Sequence, residues 1–188
     1  MSHEPPCNEP RPSPGDEGLV TIFTGDGKGK TTAAIGTAVR AAGHGFKVFI
    51  AFFAKGDRYC RGEAGFLSRV PGITIAGGHH PNWIIKDKIK EEDIEMATAT
   101  LDAAREAMLS GKYELIVLDE INIAINFGLV GLDDVKDFIR AKPRPVELIL
   151  TGRYADPELI QMADLVTEMH MVKHPFSHGV RAHLGIDY

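Results

Sequence analysis

Residues 24–32 read TGDGKGKTT, and this glycine-rich turn with two lysines has the clearest chemical capacity in the chain. Glycines let the backbone adopt positive φ and approach a ligand closely, and consecutive N–H groups at a helix start bind anionic oxygens. Lys30 would add positive charge, and the Thr31 hydroxyl suits Mg²⁺. The pattern therefore predicts a phosphate-binding loop. Its candidate binding residues are Gly25, Asp26, Gly27, Lys28, Gly29, Lys30, Thr31 and Thr32.

One position departs from the common pattern of such loops. That pattern has a glycine where this chain has Thr24, and Gly25 comes one residue later. The alternative interpretation is a glycine-rich turn with a chance Gly-Lys-Thr. An apolar run before the turn and a helical pattern after it favour the phosphate loop.

A second acidic element supports this interpretation. The apolar run 116–118 ends in Asp119 and Glu120, and a carboxylate there can hold the ligand shell of Mg²⁺ opposite Thr31. If the strand continued through both acids, their side chains would point to opposite faces of the sheet. Only one acid would then be a direct partner, and the sequence leaves open which one. A surface acidic turn is the alternative.

Arg153 follows another apolar run, in the sequence Thr151-Gly152-Arg153. A guanidinium at this edge could contact a triphosphate through two hydrogen bonds. An exposed salt bridge explains its position equally well.

The elements that position these residues follow from hydrophobic periodicity. Strands separated by helices predict an α/β fold with a mostly parallel sheet, helices on both faces, and ligands at the carboxyl ends of the strands. Asp156-Pro157 is typical of a helix start. Strands are predicted at 19–23, 47–53, 73–75, 113–118, 146–151 and 165–172, and helices from the loop to about Gly43, at 88–110, at 132–141 and from Pro157 to about Met162.

Composition limits the class of protein. The 188 residues are 44% hydrophobic and 25% charged, with a net charge of −5, so the chain is neither mostly disordered nor suited to nucleic acid by bulk charge. No apolar run is long enough to span a membrane. The two cysteines, Cys7 and Cys60, fit a reducing cytosol.

The first residues differ from the rest. Residues 1–17 hold five of the eleven prolines and are predicted to form a mobile or partner-ordered tail. The chain start lacks the pattern of a secretory signal. A single globular domain is therefore expected over 18–188.

The chain from about Leu19 to Tyr188 resembles the P-loop family of ATP:corrinoid adenosyltransferases. The shortened loop at 25–32 is that family's variant. A phosphate loop alone is unspecific, whereas the whole series of matches follows the family's order and spacing and implies a P-loop NTPase-like (RecA-like) fold. The further matches are RAAGHG at 40–45, KG at 55–56, VLDE at 117–120, TGR at 151–153, VKH at 172–174 and GIDY at 185–188.

The resemblance implies transfer of the 5′-deoxyadenosyl group of ATP to the Co(I) centre of a corrinoid, with release of tripolyphosphate, in adenosylcobalamin biosynthesis or salvage. The implied corrinoid is cobalamin or its a,c-diamide precursor. Mg²⁺ is the implied cation, with Mn²⁺ as an alternative. A reduced flavoprotein as electron donor, a cytoplasmic location and a homodimer are further expectations, without nucleic acid or membrane partners.

The resemblance also assigns residues. Lys30 and Arg153 are expected to act on the triphosphate, and Thr31 with Asp119 or Glu120 on the cation. Trp83 is the candidate for packing beneath the corrin ring, with ordinary packing as the alternative. Further candidates for binding nucleotide or corrinoid are Glu63, His79, His80, Glu120 and His174.

Two other interpretations remain open at this stage. A P-loop protein could instead hydrolyse ATP or transfer a phosphoryl group, or it could be a binding module gated by nucleotide. The spacing of His170, His174 and His178 suggests a metal site on one helical face, but Pro175 interrupts that face and disfavours it.

Overall fold

A sheet of six parallel strands forms the scaffold of the part of the chain that the structure describes. A computed structural model describes residues 17–53, 62–77 and 86–187. The strands are β1 Val20–Thr24, β2 Val48–Phe52, β3 Ile73–Gly77, β4 Leu115–Asp119, β5 Glu147–Thr151 and β6 Leu165–Glu168. Across the sheet the strand order is β3-β2-β4-β5-β1-β6, and every pairing is parallel.

Helices connect the strands and cover both faces of the sheet. Because parallel strands need crossover connections, the alternation of strand and helix produces this two-sided cover. The α-helices are α1 Lys30–Gly43, α2 Gly62–Leu67, α3 Glu91–Leu109, α4 Ile121–Phe127, α5 Leu132–Arg140 and α6 Pro157–Met162, with short 3₁₀ turns at Lys86–Lys88 and Pro175–His178. None of the helices in the described ranges has the length and apolar character needed to cross a membrane.

The core lies in two layers, because successive side chains of a strand point to opposite faces. On one face Ile50 and Val117 pack in a cluster with Ala34 and Ala38 of α1. The other face buries a larger cluster that includes residues of α3, α4, α5 and α6. Strands β2 and β4 are buried along their whole length, as expected for central strands of a parallel sheet.

The register brings the ends of distant strands to one edge. Phe52 pairs with Asp119, Phe23 with Thr151, and Thr24 with Glu168. The phosphate loop after β1 therefore lies beside the carboxyl ends of β5 and β6, with β4 next to β5.

Most predicted elements are confirmed. The differences are that β6 is shorter than predicted and that the helices α2 and α4 were not predicted. The helix start at Asp156 is present, where the Asp156 carboxylate accepts a hydrogen bond from the Glu158 N–H at 2.8 Å. The prediction for β6 is wrong beyond Glu168, because its partner β1 ends at Thr24 and the Met169 carbonyl accepts the Gly27 N–H of the phosphate loop. Helices α2 and α4 were not predicted, since α2 contains two glycines and α4 has only seven residues and no side-chain cap.

Candidate active site

The phosphate loop runs from the end of β1 to the start of α1. Gly25 has φ 95° and Gly29 has φ 120°, which are left-handed conformations that favour glycine. Gly27 has no positive φ and is needed for another reason: a Cβ there would lie 2.7 Å from the Met169 carbonyl oxygen. Two glycines therefore bend the loop, and the third allows close backbone approach.

Thr24 occupies the position at which the common loop pattern has a glycine. It is the last residue of β1 and is buried, and its hydroxyl accepts a hydrogen bond from the Ala155 N–H at 3.3 Å. The side chain thus joins the loop to the segment after β5, a contact that a glycine could not make.

Lys30 is the first residue of α1 and only 8% exposed. Its ammonium donates a hydrogen bond to the Gly27 carbonyl oxygen at 2.7 Å. This contact keeps the positive charge inside the curve of the loop, next to the start of the helix. The helix dipole and the lysine charge both favour an anion there.

The segment after β6 supports the outer side of the loop. The Gly27 N–H donates to the Met169 carbonyl at 2.6 Å, so this amide is engaged within the protein. The Asp26 carboxylate accepts a hydrogen bond from the Met171 N–H at 3.0 Å. That bond holds the pKa of Asp26 below its ordinary value, and electrostatic interactions with His170 and Arg153 act in the same direction.

The C-terminal turn contacts the same side. The Lys28 ammonium donates to the Ile186 carbonyl oxygen at 2.7 Å and forms an ion pair with the Asp187 carboxylate. The other carboxylate oxygen of Asp187 accepts the His183 N–H at 2.7 Å. This backbone bond, followed by the Lys28 contact, lowers the pKa of Asp187.

Asp119 and Glu120 lie at the end of β4, which is an interior strand of the sheet. Asp119 is fully buried and accepts a hydrogen bond from the Thr151 hydroxyl at 2.7 Å. Glu120 does not continue the strand, because its φ of 64° turns the chain into α4. The condition under which the two acids would point to opposite faces, a strand that continues through both, is therefore not met. Thr151 also accepts the Glu120 N–H at 2.9 Å, a role that the sequence pattern did not reveal.

Arg153 lies close enough to the loop for its charge to lower the pKa of Asp26, and its side chain is exposed. Glu63 is half-buried in the first turn of α2, and His174 is half-buried just before the last 3₁₀ turn. His79, His80, Trp83, Lys55, Gly56, Cys60 and nearly all of the 1–17 tail lie outside the described residues.

The described residues contain no group of three His, Cys, Asp or Glu side chains able to hold a metal ion by themselves. The oxygen donors near the loop are instead the Thr31 hydroxyl at the start of α1 and the acids at the end of β4. Hard cations such as Mg²⁺ take oxygen ligands of this kind and commonly complete their shell with phosphate oxygens and water.

A buried lysine at a helix start, a strained glycine loop and a buried aspartate at the end of a nearby parallel strand define a P-loop nucleotide-binding protein. A family model described as ATP:corrinoid adenosyltransferase BtuR/CobO/CobP matches residues 16–188. The chain belongs to this family, whose members transfer the adenosyl group of ATP to a corrinoid.

Curated relatives agree with the family. The corrinoid adenosyltransferase of Pseudomonas aeruginosa is 37% identical over 175 residues, which cover 92% of this chain and 85% of the relative. That of Escherichia coli K12 is 34% identical, with coverage of 92% and 87%. That of Salmonella typhimurium is 35% identical, with the same coverage. The resemblance seen in the sequence is thereby confirmed, and the chain is an enzyme of this class.

Among solved structures, the KaiC-like protein PH0186 of Pyrococcus horikoshii OT3 is similar in fold. Its TM-score is 0.51 at 18% identity, and the match covers 81% of this chain and 73% of that protein. A likeness at this identity shows the fold alone. It agrees with the expected RecA-like P-loop architecture.

Proposed function

We propose that the protein binds ATP with its triphosphate in the loop at 25–32 and releases that triphosphate as one unit. Co(I) of the corrinoid attacks the ribose C5′, a cobalt–carbon bond forms, and the C5′–oxygen bond breaks. The metal contributes the electron pair of the new bond, and the broken bond's pair leaves with tripolyphosphate. The burial of Lys30 within the loop of a chain of this family is the observation that carries the proposal.

Charge stabilisation is the main task of the loop in this reaction. Negative charge grows on the leaving triphosphate, and fixed positive groups placed beforehand lower the energy of that transition state. Lys30 and the start of α1 supply such groups, and Arg153 adds a second cation from the end of β5. Co(I) is already a strong nucleophile, so no side chain is assigned as a general base.

The donor set near the loop fits Mg²⁺. Thr31 would hold the cation from the start of α1, with Asp119 or Glu120 on the opposite side. The bound cation would neutralise part of the triphosphate charge. Mn²⁺ prefers similar oxygen ligands and is the alternative cation.

The corrinoid side of the site rests on the family resemblance. Trp83 is proposed to pack beneath the ring, with His79 and His80 close to it in the sequence and with Glu63 and His174 as further contacts. Loss of a lower axial ligand would make Co(II) easier to reduce. Trp83→Ala should therefore slow reduction of bound Co(II) more than it weakens ATP binding; equal effects on both would contradict this role.

The edge strand β6 supports a homodimer. All four of its residues are exposed, including Leu165 and Val166 at 44% and 40%, although an interior strand of this sheet would bury them. Exposed apolar side chains along a sheet edge favour pairing with another surface. A reduced flavoprotein as electron donor, cobalamin or its a,c-diamide precursor as substrate, and a cytoplasmic location complete the proposal.

The bond that breaks is the decisive test. The enzyme would be incubated with Mg²⁺, a chemically reduced Co(I) corrinoid, and ATP labelled with ¹⁸O at the oxygen joining C5′ to the α-phosphate. We expect adenosylated corrinoid together with intact tripolyphosphate that carries the label. A phosphoryl-transferring or ATP-hydrolysing protein would give labelled ADP and unlabelled phosphate, and a binding module would give no turnover.

An ATP analogue that resists hydrolysis distinguishes the two reactions further. ATP with an imido group between the β- and γ-phosphorus atoms resists hydrolysis at that position. Adenosyl transfer should continue with it, because no phosphorus–oxygen bond is broken. Complete loss of transfer, with the analogue still bound, would argue against release of the triphosphate as a unit.

A further inference from the structure

The ends of β4 and β5 meet in a buried hydrogen-bonded junction. Thr151 and Asp119 are both fully buried, and the Thr151 hydroxyl donates to Asp119 Oδ1 at 2.7 Å. The same hydroxyl accepts the Glu120 N–H at 2.9 Å. One side chain therefore contacts both acids that follow the apolar run of β4.

The chemistry of a hydroxyl makes this contact directional. A threonine hydroxyl has one hydrogen to donate and two lone pairs that can accept. Because the Glu120 N–H can only donate, the hydroxyl hydrogen is directed to the Asp119 carboxylate. The contact therefore restricts rotation of the Asp119 carboxylate.

The backbone around the junction needs such a restraint. Glu120 has φ 64°, a left-handed conformation that is unfavourable for a residue with a Cβ. The Glu120 N–H bond to Thr151 holds this turn at the start of α4. Close packing continues at Gly152, where a Cβ would lie 3.1 Å from the Asn122 Cβ.

We propose that Thr151 is a positioning residue for the cation that accompanies ATP. Its hydroxyl orients the Asp119 carboxylate and holds Glu120 in its turn, so both acids keep the geometry that Mg²⁺ requires. This inference rests on the proposed role of the two acids in holding the cation, and it adds the group that aligns them.

The test compares three residues at position 151. Thr151→Val preserves shape and removes the hydroxyl, whereas Thr151→Ser retains the hydroxyl and removes only the methyl group. Nucleotide affinity would be titrated calorimetrically at several Mg²⁺ concentrations and in EDTA. Thermal unfolding of each variant provides the readout of overall structure.

We expect Thr151→Val to raise the Mg²⁺ concentration for half-maximal nucleotide binding about tenfold, or about 1.4 kcal/mol. Its affinity for ATP in EDTA should equal that of the unaltered protein, and Thr151→Ser should restore the Mg²⁺ requirement to within about twofold. An unchanged Mg²⁺ requirement in the valine variant would overturn the proposal. Equal losses with and without Mg²⁺ would also overturn it, since they indicate a purely structural role.

A substitute variant and a measurement on the unaltered protein complete the test. If Thr151→Val does not fold, Thr151→Cys replaces it, because a thiol is a much weaker donor than the serine hydroxyl of its matched variant. A Mg²⁺ requirement higher in the cysteine variant than in the serine variant supports the proposal, and equal requirements refute it. Nucleotide binding by the unaltered protein that ignores Mg²⁺ would instead refute the proposed cation role of the acids.

Discussion

The phosphate loop lies between two supports of different character. The inner support consists of Asp119, Glu120 and Thr151 at the ends of β4 and β5, and it adjoins the start of the loop because Thr151 pairs with Phe23 of β1. Two of these three residues are fully buried. The outer support consists of residues 168–171 after β6 and the C-terminal turn 183–187, and nearly all of these side chains are exposed. One loop thus joins the interior of the sheet to its surface.

The bonds in the two supports differ accordingly. On the inner side, Thr151 binds a carboxylate and a backbone amide away from water, where removal of one partner leaves the other unsatisfied. On the outer side, Met169 and Met171 contribute backbone groups, and the Lys28–Asp187 ion pair is exposed to solvent screening. We infer that the inner support sets the chemistry and that the outer support sets the position of the loop.

The two lysines of the loop should give the largest difference in effect, because Lys30 is buried at the start of α1 whereas Lys28 is exposed and pairs with Asp187 of the outer support. Lys30→Ala should lower the rate of adenosyl transfer on the order of a hundredfold to a thousandfold, because a fixed charge beside the leaving group is lost. Lys28→Ala, the matched control in the same loop, should lower it less than about fivefold, as expected for an exposed ion pair. The measurements are steady-state transfer rates and thermal unfolding. Near-normal turnover of Lys30→Ala would contradict the comparison.

The strands that carry the two supports should differ in stability. Leu148→Ala in β5 removes a fully buried side chain and should lower the free energy of unfolding by about 2–5 kcal/mol. Leu165→Ala in β6 alters a side chain that is 44% exposed and should cost about 0.5 kcal/mol or less in the monomer. Urea unfolding measures both. A cost for Leu165→Ala that grows with protein concentration would place β6 in the dimer interface.

Glycines test the outer support directly. Gly27→Ala would place a Cβ 2.7 Å from the Met169 carbonyl oxygen, so the loop or the segment after β6 must shift, at a cost of about 1–3 kcal/mol. Gly36→Ala is the control: nothing lies within 4 Å of its Cβ position in α1, and alanine should stabilise that helix by about 0.5–1 kcal/mol. Thermal unfolding and ATP titration would follow both. Equal stability of the two variants would show that the outer contact does not restrain the loop.

The C-terminal turn should have the smallest effect. Asp187→Asn weakens the contact with Lys28 and should change ATP affinity less than about fivefold. Because the folded pKa of Asp187 is lowered, its contribution is present above the ordinary aspartate pKa of about 3.9 and is lost as the pH falls through the lower folded value. After correction for intrinsic rates, hydrogen exchange of residues 183–187 should therefore not change between about pH 7.5 and about pH 8.5, a range above the ordinary pKa values of aspartate and histidine side chains. A rise in exchange within this range would contradict the assignment.

Local patterns determined much of the scaffold in advance. The loop at 25–32, the apolar run before Asp119 and the cap at Asp156 follow from glycine conformations, hydrophobic spacing and a side-chain hydrogen bond. Each involves residues near one another in the chain. Such features do not depend on the order in which the strands pair, and they could therefore be predicted from the sequence.

Contacts between residues far apart in the chain could not be predicted from such local patterns. Strand β6 ends where β1 ends at Thr24, and there the Met169 carbonyl accepts the Gly27 N–H across more than a hundred positions of sequence. The left-handed turn at Glu120 depends on a hydroxyl from the next strand. Neither partner carries a local signal, because backbone groups are the same at every residue and threonine is common in strands.

The sequence by itself determined a phosphate loop between a strand and a helix, two acids after an apolar strand, and membership in the adenosyltransferase family. The tertiary structure decided which groups hold the loop and the acids in place. Thr151 contacts the two acids, whereas Met169 and Asp187 contact the phosphate loop. The physical reason is that local conformation depends on neighbouring residues, whereas alignment of the site depends on hydrogen bonds between chain segments that meet only when the sheet assembles.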